Sequence, residues 1–141
     1  MTDRVFVDAN VLFSAAWLEE SGLTKLWHRA DTALVASRLA VAEARRNLDT
    51  DSQRARLDAL AVRLILVDPS PDATLPPAVS LAAKDVPILL AAIEAGATVL
   101  SWTVPGATHL LTGDRKHFGH LYGRTVAGVK ILAPATYLAK R

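Results

Sequence analysis

At 141 residues, 51% of them hydrophobic, the chain is long enough for one domain (1–141) whose core needs no staples. It has no cysteine, which excludes disulfides, thiolate zinc sites and a cysteine nucleophile. A formal net charge of +2 is too small to argue for or against nucleic acid.

Met1 leads straight into a strand-like segment carrying Asp3, Arg4 and Asp8, unlike a signal peptide, and no apolar run reaches the length of a membrane span. The expectation is a soluble cytoplasmic protein. Arg4 to Val7 predicts a buried strand ending at Asp8, and Asn10 to Leu18 a helix broken by Ser21-Gly22. Leu23 to Ala30 reads as a short helix with Leu23, Leu26 and Trp27 on one face. Ala33 to Ala36 is a strand candidate, and Ser37 caps a helix through Asn47. Asp51 or Ser52 caps the next helix, to about Arg63, and Leu64 to Val67 is a third strand. Asp68 to Ser80, holding four of the seven prolines, reads as a loop. A helix follows over Asp85 to Glu94, with Pro87 in its first turn where a missing N–H is tolerated.

Gly96-Ala97-Thr98 is echoed by Gly106-Ala107-Thr108, and either copy could open the strand that precedes Asp114. The second is preferred because it runs directly into Thr112-Gly113-Asp114. The first copy, together with Trp102, is then an insertion, an extra strand or a helix end. Val129 to Leu132 completes the strands, and Pro134 to Lys140 predicts a last helix. Strands alternating with helices argue for an α/β fold: a mainly parallel sheet between two helical layers.

Against this frame, four acidic residues fall at strand ends and helix starts. Asp8 follows the first strand, where it either faces the crevice beyond the strand ends or caps the next helix. Glu43 sits on or beside the face of Leu39 and Ala40. It needs a partner there, either a metal or Arg38 or Arg46, unless it lies exposed at the edge of that face. Asp85 before Val86-Pro87 also reads as an N-cap, and Asp114 after Gly113 as a turn residue. A parallel sheet gathers strand ends along one edge, and clustered carboxylates repel unless a cation joins them. Taken together, the four read as a site for Mg²⁺ or Mn²⁺, hard ions that take oxygen ligands.

Val5-Phe6-Val7-Asp8-Ala9-Asn10-Val11-Leu12, the Glu43 helix, Asp85-Val86-Pro87-Ile88-Leu89 and Leu111-Thr112-Gly113-Asp114 together resemble the PIN domain family. The ending Thr112-Gly113-Asp114-Arg115-Lys116-His117-Phe118 resembles a branch with a Thr-Gly-Asp-x-x-His-Phe signature. The resemblance covers nearly the whole chain. It implies a three-layer α/β/α domain and a metal-dependent endoribonuclease, with Asp8, Glu43, Asp85 and Asp114 as catalytic metal ligands. Asn10 and Thr112 would orient carboxylates or water. RNA would be cut to leave a 5′-phosphate, and a homodimer and a small antitoxin partner, as in toxin–antitoxin pairs, are further implications.

Arg115 and Lys116 directly follow Asp114 and are candidate phosphate contacts, whereas Arg45, Arg46 and Lys84 read as solvated charge. His117 is either a donor to a phosphate or leaving group or a structural residue beside Phe118. With His120 it makes no zinc pattern, for want of an HExxH helix or a third ligand. Two other functions stay open: a HAD-type phosphatase with Asp8 as nucleophile, and a PIN-like scaffold that binds RNA or a partner without cutting. The lysine motif and two-aspartate strand end of the former are not found. Neither is a GxxxxGK[ST] or GxGxxG phosphate cradle.

Overall fold

The computed structural model describes residues 3–67, 81, 83, 85–99, 109–126 and 128–139. Their elements run β1 (Asp3–Val7), α1 (Ala9–Trp17), a 3-10 segment (Gly22–His28), β2 (Thr32–Ser37), α2 (Arg38–Asn47), α3 (Asp51–Ala61) and β3 (Ile65–Val67). There follow α4 (Val86–Val99), β4 (His109–Leu111), α5 (Arg115–Phe118), a 3-10 turn (Gly119–Leu121), β5 (Thr125–Val126), β6 (Val129–Leu132) and α6 (Pro134–Leu138). The sheet order is β3-β2-β1-β4-β6-β5, parallel throughout except for the β5–β6 pair.

Alternation along the strands builds a core on each face of the sheet. Val5 and Val7, Leu34 and Ala36, Leu111 and Leu132 join one cluster with Leu12 of α1, Ala40 and Ala44 of α2, and Leu57 of α3. Phe6, Val35, Leu110 and Ile131, one residue out of phase, join the other with Leu89 and Ala92 of α4 and Phe118 of α5. The protein is therefore a three-layer α/β/α domain.

The chain leaves β1 toward β2 and β3 with its helices on the first face, then crosses back to β4 by way of α4 on the second. The direction of winding reverses between β1 and β4. Such a switch point opens a crevice beyond the carboxyl ends of the two strands. Val7 and Leu111, the last residues of those strands, are register partners there.

Several boundaries differ from the sequence expectation. Asp8 itself caps α1, so the helix begins at Ala9 and ends at Trp17. The expected second helix is a 3-10 segment, because Ser21 accepts from Leu23 N through its side chain and from Thr24 N through its carbonyl. Thr50, not Asp51 or Ser52, caps α3. Its hydroxyl accepts from Gln53 N while Gln53 Oε1 accepts from Thr50 N, a reciprocal capping box. Thr50→Ala should cost about 1 kcal/mol of stability, read from a urea midpoint at unchanged slope.

Helix α4 runs past Glu94 to Val99, so the first Gly-Ala-Thr copy is a helix end, and β4 is the preferred second strand. β5 was not expected; it is a two-residue strand turned back by Gly128 at φ 86°. The proline loop Asp68–Ser80, Lys84, Trp102, Thr108 and Lys140 lie outside the described residues. Among those described, no helix is long and apolar enough to cross a membrane.

Candidate functional site

Asp8 leaves the end of β1 with its backbone N–H bonded to Leu111 O at 3.0 Å, which ties it to the neighbouring end of β4. Its Oδ1 accepts from Ala9 N at 2.7 Å, the cap of α1. Its Oδ2 accepts from the Thr112 hydroxyl at 2.8 Å and from Asn10 Nδ2 at 3.2 Å. Both readings of Asp8 therefore hold at once, since capping α1 leaves it 3% exposed at the floor of the crevice.

Asn10 and Thr112 make the brace that joins the two strand ends. Asn10 Nδ2 also donates to Thr112 Oγ1 at 3.1 Å, and Asn10 Oδ1 accepts from Gly113 N at 2.6 Å. Thr112 Oγ1 accepts from Asp114 N at 3.1 Å, so one fully buried hydroxyl orients the carboxylate on β1 and the turn beyond β4. A Cβ on Gly113 would come within 3.2 Å of Asn10 Oδ1, so glycine lets this turn approach the brace. Thr112→Val keeps the shape but strands Asp114 N and removes the donor to Asp8. The expected loss is about 2–3 kcal/mol by urea denaturation, against about 1 kcal/mol for Thr112→Ser.

Glu43 comes from α2. Ala40 and Ala44 are the buried side of that helix, whereas Leu39 is 62% exposed. Glu43 is exposed at the edge of the buried face, with Asn47 one turn further on. Of the alternatives the sequence left open, exposure at the edge of the face is the one found, because Leu39 does not belong to the core stripe.

Asp85 precedes α4. Its carbonyl accepts from Ile88 N and Leu89 N, the first bonds of the helix. Its side chain is only 6% exposed, and Oδ2 has no hydrogen-bond partner among the described residues. An N-cap role does not account for that oxygen.

Asp114 caps α5 by accepting from His117 N at 3.1 Å through Oδ1. Its Oδ2 lies 2.7 Å from His117 Nδ1, which is itself 3.6 Å from Asp85 Oδ2. Ligand atoms of Asp85, Asp114 and His117 all lie within 4.8 Å of one another. Of the two sequence readings of His117, neither anticipated this placement. The signal was the i, i+3 spacing from Asp114 in a helical turn.

Asp8, Glu43, Asp85 and Asp114 thus line a single open cavity of about 330 Å³, with Asn10 and Asn47 beside them and Phe13 and Ile88 as its apolar wall. Burial pushes the Asp8 carboxyl up to about 6, and the charges of Glu43 and Asp85 add to this; the bonds from Thr112 and Ala9 oppose it. Oxygen donors from four segments, a buried unsatisfied Oδ2 and a carboxyl raised by its acidic neighbours fit a cation. The cluster of Asp85, Asp114 and His117 is a possible metal-binding group. Arg115 and Lys116 are exposed on the first turn of α5, next to Asp114 but off the cavity wall.

Comparison with protein-family models gives no match, and comparison with curated proteins gives none either.

Proposed function

We propose that the chain is a Mg²⁺- or Mn²⁺-dependent endoribonuclease of the PIN type. The observation that carries the reading is the meeting of Asp8, Glu43, Asp85 and Asp114 in one cavity at the switch point between β1 and β4. Asp8, Glu43, Asp85 and Asp114 would hold the ion. A divalent ion bound there lowers the pKa of water and neutralises charge developing on a phosphodiester. Hard oxygen donors suit that role.

The chain's own groups do the rest. Asn10 and Thr112 hold Asp8 at a fixed angle, which preserves the ligand set between turnovers. Water adds to phosphorus as the bond to the 3′-oxygen breaks, leaving a 5′-phosphate and a 3′-hydroxyl. Arg115 and Lys116 hold flanking phosphates at the rim. Phe13 in the cavity wall pairs with Trp17 at a centroid distance of 5.1 Å, and Trp17 is 37% exposed. That pair offers a stacking face to an unpaired base, worth about 1–3 kcal/mol per base in single-strand binders. Trp17→Ala should therefore raise KM for a short single-stranded RNA about tenfold or more while leaving kcat near the parent value.

The resemblance extends the proposal to a cytoplasmic toxin that forms a homodimer and is restrained by a small antitoxin. The test of the activity is cleavage of several RNAs with Mn²⁺, Mg²⁺ or EDTA. Metal-dependent cutting supports the nuclease. No cutting of any RNA, together with no metal-dependent stabilisation, would instead favour a scaffold, whose degenerate site should not bind the ion. A trapped phosphoryl group on Asp8 would point to the HAD-type phosphatase.

A further inference from the structure

We infer that His117 is a direct metal ligand through Nδ1, and that the site consequently prefers Mn²⁺ to Mg²⁺. The inference rests on the metal-site reading above and adds a nitrogen donor to a set otherwise made of oxygens. His117 Nδ1 stands 2.7 Å from Asp114 Oδ2 and 3.6 Å from Asp85 Oδ2. Neighbouring ligands of an ion with bonds of about 2.0–2.3 Å lie about 3 Å apart, and the two distances bracket that value. The second observation is independent of the cluster's charge. Asp85 Oδ2 is buried, has no hydrogen-bond partner among the described residues, and faces the same imidazole nitrogen at a distance too long for a hydrogen bond. A shared ion would give Asp85 Oδ2 the partner it lacks.

The backbone makes the arrangement firm. Asp114 caps the one-turn helix that carries His117, and Phe118, the next residue, is fully buried in the core under α4. The imidazole is therefore presented by an anchored turn, 25% exposed beside Asp85 and Asp114. Binding through Nδ1 uses the neutral tautomer with its proton on Nε2. Imidazole suits the later first-row metals, and Mg²⁺ takes oxygen ligands almost exclusively, so the mixed set separates the two ions. The sequence offered no zinc pattern around His117 because the third ligand, Asp85, comes from the start of α4.

A competing role is that His117 only holds Asp114 in place. Titration of the full chain with Mn²⁺ alone and Mg²⁺ alone, with pulsed EPR of the Mn²⁺ form, separates the two. Expected are a ¹⁴N coupling to the bound Mn²⁺ and a Kd for Mn²⁺ at least about tenfold below that for Mg²⁺. In His117→Gln the coupling should vanish, and the Mn²⁺ affinity should fall about 10–100-fold while the Mg²⁺ affinity changes much less. Bound Mn²⁺ without ¹⁴N coupling in the parent protein overturns the assignment whatever the variant does. Equal losses for both ions in a folded His117→Gln overturn it too. Absence of binding by either ion defeats the metal-site reading itself, and the His117 assignment with it.

Discussion

Asp8→Asn should lower metal-dependent RNA cleavage by about 100-fold or more while the protein stays folded. The substitution keeps the volume and the cap of α1, because the amide oxygen can still accept from Ala9 N at the Oδ1 position. What changes is the other atom. An NH₂ group at Oδ2 would face two donors, the Thr112 hydroxyl and Asn10 Nδ2, and would offer nothing to a cation. The hydroxyl can rotate to accept, at the expense of one of the bonds it already receives. The site therefore loses one ligand charge and loosens its brace at the same time. Since Asp8, Glu43 and Asp85 repel in the metal-free state, removal of one charge relieves part of that repulsion. The measurement is a cleavage time course with Mn²⁺ alongside a melting curve. Full activity in a folded Asp8→Asn would remove Asp8 from the reaction and, with it, the proposed mechanism.

The companion result concerns the ion. Saturating Mn²⁺ should raise the melting temperature of the parent protein and have little effect on Asp8→Asn, since a ligand stabilises only the state that binds it. A shift of equal size in both would place the ion elsewhere.

The fold was legible because the signals were redundant. Val5-Phe6-Val7 and Leu34-Val35-Ala36 are short apolar runs flanked by helix signals, and each supplies residues to both faces of a parallel sheet. Ser37 announced its helix, and its hydroxyl accepts from Ala40 N at 3.0 Å. Two-residue β5 carried no such signal: its pairing is made by Gly128 and the neighbouring β6, not by any pattern of its own. Cap choice at α3 failed for a related reason. Thr50, Asp51 and Ser52 are all acceptable caps by residue type, and only the reach of Gln53 back to Thr50 decides among them.

The site divides in the same way. Asp8 and Asp114 were legible because they follow strands, the one at once and the other after Thr112-Gly113, and strand ends gather at the switch point. Glu43 was legible in place, while its burial was left open between a partnered and an exposed position. Helical spacing relates it to both Leu39 and Ala40, and tertiary packing buries only the alanine. Asp85 and His117 illustrate the remaining gap. Their approach to 3.6 Å joins two segments brought together by packing of α4 and α5 on one face, which no local pattern records.

The pH dependence of stability should carry the signature of Asp8. Its carboxyl is raised from 3.8 to about 6 in the folded, metal-free protein, chiefly by burial. The folded state therefore holds this proton more tightly than the unfolded chain does. Stability from the group is complete below pH 3.8 and is lost as pH rises through about 6. The loss amounts to about 3 kcal/mol, and Asp8 is too buried for solvent to reduce it greatly. Other carboxylates titrate over the same range, so the quantity to follow is the stability of the parent protein relative to Asp8→Asn. That difference should fall by about 3 kcal/mol between pH 3 and pH 7 in EDTA, as read by urea denaturation. With saturating Mn²⁺ the sign reverses. The ion favours the carboxylate and competes with the proton, so its stabilisation of the parent protein should grow up to about pH 6 and then level. A flat difference in EDTA would mean that Asp8 ionises as freely in the folded protein as in the unfolded chain. The strain that a metal would relieve would then be absent, and the case for an ion built into this crevice would rest on Asp85 alone.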